Sequence, residues 1–147
     1  MSTSVPDMNT ASRTPLLEVR DLVVGYGKAA VVHGASFDVR AGEFVTLLGR
    51  NGAGKSTTLH AISSLIPKRG GSVRFHGADV TGASAREVVR AGVIQVLEGH
   101  RVFHALTVED NLLVGTYVRT SRGDRSKLDR IYDLFPEMAA KRHEPAA

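Results

Sequence analysis

The chain has 147 residues, of which 42% are hydrophobic, and a net charge of +4. This length predicts one domain, and the absence of any apolar run of 18 residues excludes a membrane-spanning helix. The chain has no cysteine, which excludes a disulfide framework and thiol chemistry and fits the cytosol. Arg and Lys are scattered among Asp and Glu, so we expect a mixed, solvated surface and no nucleic-acid partner.

The N-terminal part predicts a leader followed by short strands. Residues 1–15 are polar and without periodicity, which is typical of disorder. Residues 16–24 and 30–39 are predicted strands, the second interrupted near His33 and Gly34, and residues 25–28 are a predicted turn. Two short strands at this place indicate a small antiparallel sheet beside an α/β core.

Residues 43–64 combine three signals in a row. Residues 43–48 (Glu-Phe-Val-Thr-Leu-Leu) predict the central strand, and the residues after position 56 continue as a helix. Between them, Gly49–Ser56 fits G-x-x-x-x-G-K-[ST] at every fixed position, which is the phosphate-binding loop. The alternative is a glycine-rich turn without a ligand. The strand before the loop and the helix after it are the context that favours nucleotide binding.

Each fixed residue of the loop has a physical reason. Gly49, Gly52 and Gly54 allow backbone angles and close approaches that a Cβ would block, and they aim successive N–H groups at one point. Lys55 can reach the β- and γ-phosphates, and the Ser56 hydroxyl can ligate Mg²⁺. The predicted nucleotide-binding residues of the loop are Gly49, Arg50, Asn51, Gly52, Ala53, Gly54, Lys55, Ser56 and Thr57.

After the loop helix, the pattern alternates between turns and short elements. Residues 67–71 are a predicted turn, 72–75 a strand, 76–79 a turn and 93–96 a buried strand. Ser84 to Glu87 forms a capping box that opens a helix, which Gly92 ends.

The C-terminal part is predicted to be helical. Thr107 caps one helix, and residues 119–124 form a polar loop. A last helix has an apolar stripe at i, i+3, i+4 and i+7 and ends at Pro136; the stripe consists of Leu128, Ile131, Tyr132 and Phe135.

With these residues in place, the chain from about Leu16 onwards resembles the N-terminal part of an ATP-binding-cassette (ABC) transporter ATPase. Tyr26, inside Val-Gly-Tyr-Gly-Lys, stands where this family stacks an aromatic ring on adenine. Residues 71–77 resemble the family's G-x-[IV]-x-[FL]-x-G hairpin, and residues 106–112 match L-T-V-x-[ED]-N-[LI]. Residues 90–93 and 98–103 are similar to the subfamily of branched-chain amino acid importers.

The resemblance implies a P-loop α/β core with an N-terminal antiparallel β subdomain, over residues 16–97, and the Q-loop region and first part of the helical subdomain over residues 98–147. It implies ATP and Mg²⁺ as cofactors. It further implies an importer subunit that lies in the cytoplasm on the inner face of the membrane, with transmembrane permease subunits and a second ABC ATPase subunit, identical or different, as partners. The segment from about Val102 to Tyr117 is the expected permease contact. The branched-chain amino acid substrate is implied by the resemblance alone. The alternatives are a urea or amide importer and a P-loop protein outside transport.

Departures from the family pattern affect the metal site and catalysis. Glu98 stands where most members have Gln, and Leu97 and His100 replace residues usual in the subfamily; Glu98 is thus either a Mg²⁺ ligand or a solvated carboxylate. The Leu-Ser-Gly-Gly-Gln signature, the strand ending in Asp-Glu and the switch His are not found, so a truncated cassette is expected. Without them the chain has no predicted catalytic residue and is not expected to hydrolyse ATP alone.

Overall fold

The computed structural model describes residues 14–99, 101–117 and 125–146. Most of the predicted leader and the predicted loop at 119–124 lie outside these residues. Contacts divide the chain into two units, Met1–Gln95 and Val96–Ala147. Among the described residues, no helix is both long and apolar enough to cross a membrane.

The first unit contains an antiparallel sheet, as predicted. The sheet has four strands, in the order β2-β1-β3-β4. Its strands are β1 (Leu17–Tyr26), β2 (Ala29–Val39), β3 (Lys68–Phe75) and β4 (Ala78–Asp79). The interruption predicted near His33 and Gly34 is a bulge: Leu22 pairs with Ala35 but Val23 with His33, so Gly34 is skipped.

A second bulge explains why the apolar pattern of β1 slips by one residue. Asp21 has φ +47°, and the pairing register shifts between Val19 and Leu22. Val19 and Leu22 are therefore both fully buried, although strict alternation would place them on opposite faces. The facing Gly71, with φ +82°, has no room for a side chain because a Cβ there would lie 2.3 Å from the Arg20 carbonyl oxygen.

Two helices accompany the sheet, α1 (Lys55–Ile62) and α2 (Ala85–Ala91). The capping box of α2 is confirmed, with Ser84 N donating to Glu87 Oε2 at 2.8 Å and Ser84 Oγ accepting from Glu87 N at 3.4 Å. Gly92 ends α2 at φ +115°, as predicted. The helices and strands share one apolar core, which consists of Val19, Leu22, Val24, Val32, Ala61, Ile62, Val73, Val80 and Val88.

The second unit is helical within its described residues. Its helices are α3 (Val108–Val114), α4 (Leu128–Leu134) and α5 (Pro136–Ala140), and Arg125–Lys127 forms a 3-10 turn before α4. The predicted cap of α3 is confirmed, since Thr107 Oγ1 accepts a hydrogen bond from Asp110 N at 3.1 Å. Pro136 follows the end of α4 as predicted and also begins α5, where a missing N–H costs nothing.

Several predicted elements are wrong. Residues 43–48 and 93–96 are not strands, and Phe44 and Leu48 expose 95% and 88% of their surface. A strand needs a hydrogen-bonded neighbour, and neither segment has one in the described part of the chain. The turn predicted at 67–71 is also wrong, since β3 already begins at Lys68 and pairs with β1, and β4 occupies half of the turn predicted at 76–79.

Candidate nucleotide-binding loop

The loop before α1 has the backbone conformation that its glycines permit. Gly52 and Gly54 have φ +84° and +87°, in the left-handed region that other residues rarely adopt. Gly49 is required for a different reason, because a Cβ there would lie 3.0 Å from the Ala53 Cβ. Ala53 N donates to Arg50 O at 3.1 Å and closes the turn between the glycines.

The loop rests on strand β2. A Cβ added to Gly54 would lie 3.0 Å from Val32 Cγ2 and 3.3 Å from Val31 O, so the backbone of Gly54 lies directly against the strand. Thr58 makes two hydrogen bonds to the same residue. Its N–H donates to Gly54 O at 2.8 Å and its hydroxyl donates to Gly54 O at 2.9 Å. Sequence reasoning did not single out Thr58, although its position four residues after Gly54 is a readable signal for such a bond.

The first turn of α1 has donors without partners. Gly54 is the N-cap and provides no side-chain cap, and the first turn has no acidic residue. Thr58 is the first residue whose N–H bonds back to the cap, so the N–H groups of Lys55, Ser56 and Thr57 have no acceptor among the described residues. Together with the positive end of the helix dipole, three such groups are suited to bind an anion.

Lys55 lies across the loop. Its Nζ donates to Gly49 O at 2.7 Å and to Arg50 O at 2.9 Å. An ammonium group has three donors, so one remains for a further acceptor. The ammonium charge is therefore held at the loop backbone by two hydrogen bonds.

The remaining loop residues differ in burial. Arg50, Asn51 and Ser56 are exposed, whereas Thr57 is buried. The Ser56 hydroxyl makes no hydrogen bond to another described residue and is therefore open to a ligand. Hydroxyl oxygen suits Mg²⁺, which binds one or two protein oxygens together with substrate phosphates. No cluster of three His, Asp or Glu side chains that could hold a metal occurs in the described ranges.

Tyr26 belongs to the same unit as the loop. It is the last residue of β1 and pairs with Ala29, at the hairpin end, two residues beyond Val24. Val24 pairs with Val32, which contacts Gly54, so the hairpin end lies roughly 7 Å along the strand from the loop contact. The Tyr26 side chain is 53% exposed, which leaves ring surface available to a ligand.

Glu98 lies in the second unit, on a bend that follows the predicted strand. Its side chain is exposed, and its carbonyl oxygen accepts a hydrogen bond from Arg101 Nε at 3.2 Å. Its role as a Mg²⁺ ligand stays a prediction. Gln95, at the end of the first unit, has a buried Oε1 without a partner among the described residues.

The family model described as ABC transporter matches residues 32–146. This range includes the loop, α1 and the described helices of the second unit. The chain belongs to the ABC transporter family. As expected from its motifs, several similar relatives are named for branched-chain amino acid transport. The high-affinity branched-chain amino acid transport ATP-binding protein BraG of Pseudomonas aeruginosa is 38% identical over 122 residues, 83% of this chain and 52% of BraG.

Other ABC proteins match at lower identity. LivG of Salmonella typhimurium, also named for branched-chain amino acid transport, is 31% identical over 74% of this chain and 43% of its own length. The ribose import ATP-binding protein RbsA of Rhodococcus jostii is 34% identical over 83% of this chain and 25% of its own length. This chain thus spans about half or less of each curated relative.

Solved structures confirm the cassette fold. The ATP-binding subunit of an ABC transporter has a TM-score of 0.74 at 28% identity, over 88% of this chain and 54% of that chain. A nucleotide-free cassette from an ABC transporter has a TM-score of 0.73 at 19% identity, over 90% of this chain and 58% of that chain, and supports the fold alone. The predicted P-loop α/β class with its antiparallel subdomain is therefore correct.

Proposed function

We propose that this chain binds Mg-ATP through Gly49–Thr57 and forms the nucleotide-binding part of an ABC importer subunit. The observation that carries the proposal is the first turn of α1, where three N–H groups have no partner among the described residues and the Lys55 ammonium bonds to the backbone of a loop that contains no acidic residue. A triphosphate supplies the oxygens and the negative charge that such a site needs.

Each proposed binding residue would contact a specific part of Mg-ATP. Lys55 would pair with the β- and γ-phosphates, the loop N–H groups would hold the phosphate oxygens, and Ser56 would provide one Mg²⁺ ligand. Tyr26 would stack on the adenine. The metal neutralises charge on the phosphates when it is bound.

The importer role rests on the relatives. BraG, named for high-affinity branched-chain amino acid transport, is 38% identical, and the same transport appears in the name of LivG. We therefore assign branched-chain amino acids as the substrate class and the cytoplasmic face of the membrane as the location. A transmembrane permease, contacted through residues 102–117, and a second ATPase subunit complete the proposed assembly.

Lys55→Ala tests nucleotide binding. The change removes a charge-assisted phosphate contact worth about 1.5–3 kcal/mol, so ATP affinity should fall about 10- to 150-fold. Titration calorimetry with Mg-ATP measures the loss. Lys141→Ala is the matched control, because Lys141 is an exposed lysine of the second unit and its loss changes net charge equally.

Equal affinity for the wild type and Lys55→Ala would refute nucleotide binding at this loop.

The substrate class needs a separate test, since the solute contacts other subunits. Cells that lack the gene for this chain should lose uptake of radiolabelled leucine and keep uptake of ribose. Loss of ribose uptake with normal leucine uptake would instead indicate a sugar importer, like the ribose import protein RbsA.

A further inference from the structure

An apolar loop in the second unit is bonded to the side chain of Asn111 and to the C-terminal segment. Residues 102–106, called the apolar loop below, precede the α3 cap Thr107. Their three large apolar side chains are partly or largely exposed, Val102 at 44%, Phe103 at 58% and Leu106 at 37%. Leu106 N donates to Phe103 O at 2.9 Å, so the loop is a closed turn.

Asn111, on α3, bonds to both the N–H and the C=O of one residue of this turn, Phe103. Its Oδ1 accepts from Phe103 N at 2.8 Å, and its Nδ2 donates to Phe103 O at 3.0 Å. The same Nδ2 donates to Thr107 O at 2.9 Å and approaches Leu106 O at 3.4 Å. The amide thus pairs with the Phe103 backbone as a neighbouring strand would.

Only an asparagine side chain has the chemistry for this position. Phe103 N needs an acceptor, and the carbonyl groups need a donor, so one orientation of the amide satisfies all of them and the flipped one satisfies none. Aspartate has the same shape, but its second oxygen would face carbonyl oxygens. Glutamine keeps the amide but is one methylene longer, which displaces it from the turn.

The C-terminal segment 142–146 holds the other side of the turn. Ala146 N donates to Leu106 O at 3.0 Å, and Thr107 pairs with Pro145 in an isolated bridge. The first N–H groups of α3 are satisfied by the same segment, because Val108 N donates to Glu144 O at 3.0 Å. The apolar loop is therefore fixed at its end by backbone bonds and at Phe103 by Asn111.

We propose that Asn111 is a positioning residue that holds the apolar loop in the conformation that presents Phe103 to a membrane-spanning partner. A loop that exposes apolar side chains loses little entropy on docking when it is already ordered. Asn111 itself does not need to contact the partner. The inference rests on the proposed permease contact, but its geometric part can be tested without a partner.

The geometric test is amide hydrogen exchange at Phe103 in the 147-residue chain. Asn111→Asp keeps an acceptor for the Phe103 N–H but places its second carboxylate oxygen against the Phe103 and Thr107 carbonyl oxygens. This repulsion should displace the side chain from the turn and speed exchange of the Phe103 amide by at least about tenfold. Thr107→Ala is the matched control: it removes the bond from Asp110 N to Thr107 Oγ1 on the same helix, but none of the bonds to Phe103. It should speed exchange at Asp110 and leave Phe103 protected.

Equal effects of the two variants at Phe103 would show that Asn111 only stabilises α3, and the inference would fail. The amide of Leu113, inside α3, reports whether the helix remains folded. If Asn111→Asp unfolds it, Asn111→Gln carries the test, since it stays neutral and keeps an amide. A protected Phe103 in a folded Asn111→Gln variant would also overturn the inference.

The docking test uses Phe103→Cys in the subunit that contains this chain, assembled with its membrane partner. Crosslinking to the partner should fall at least about tenfold when Asn111→Asp is added, while ATP affinity should not change. If Asn111→Asp speeds exchange of the Phe103 amide but leaves the crosslinking yield unchanged, the positioning role is overturned. A protected Phe103 amide without any crosslink would instead refute the permease contact of the proposed function.

Discussion

Gly54→Ala tests two physical reasons for the glycine at position 54, its left-handed backbone conformation and its close contact with β2. Its φ of +87° costs an alanine about 1–2 kcal/mol. The new Cβ would also lie 3.0 Å from Val32 Cγ2, and Val32 is only 7% exposed within the core, so it has little freedom to move. Overpacking of this kind costs a further amount of about 1–3 kcal/mol. We expect a total loss of about 2–5 kcal/mol in the free energy of unfolding of the first unit.

Gly52→Ala is the matched variant. Gly52 has a similar φ of +84° but no atom within 4 Å of an added Cβ, so it should lose only the conformational cost of about 1–2 kcal/mol. Urea unfolding, followed by a probe in the first unit, gives both values from the shift in midpoint at constant slope. If Gly54→Ala is no more destabilising than Gly52→Ala, the loop does not lie against β2 as described.

Two further predictions concern Tyr26 and the capping box of α2. Tyr26→Ala should weaken ATP binding more than binding of inorganic triphosphate, which has no base to stack; an equal loss for both ligands in calorimetry would remove Tyr26 from the site. The hydrogen bonds from Ser84 lower the pKa of Glu87, so their contribution to stability is present above the ordinary glutamate pKa of about 4.3 and is lost as the pH falls through the lowered value. Ser84→Ala should destabilise the first unit by about 1 kcal/mol at neutral pH and by less in acid; a loss that does not change with pH in urea titrations would contradict the role of the carboxylate.

Elements whose signals are local were predicted correctly from the sequence. The capping box at Ser84 and Glu87 depends on bonds between residues three apart, and the Thr107 cap has the same spacing. The left-handed end of α2 at Gly92 needs only the glycine itself. In each case the residues that determine the conformation are the ones that the motif contains.

Elements that depend on distant partners were not predicted correctly. The apolar run at 43–48 has strand composition, but strand formation requires a ladder, and no neighbouring strand is present among the described residues. The bulge at Asp21 shifts the apolar pattern of β1 by one residue, which alternation alone does not reveal. The contact of Asn111 with Phe103, eight residues earlier, depends on the path of the loop between them and has no fixed spacing.

The same distinction separates the backbone conformation of the loop, which its own glycines favour, from the metal role of Glu98, which stays a prediction. The geometry of Gly49–Ser56 arises from its own glycines, from α1 and from the contact of Gly54 with β2, all of which form although residues 43–48 are not a strand. A carboxylate at Glu98 reaches a metal only if the segment before it is placed by a sheet. The phosphate site therefore depends on the antiparallel sheet more than on the strand that precedes it, and Gly54→Ala, which acts at that contact, should impair the loop more than any change at the exposed Phe44.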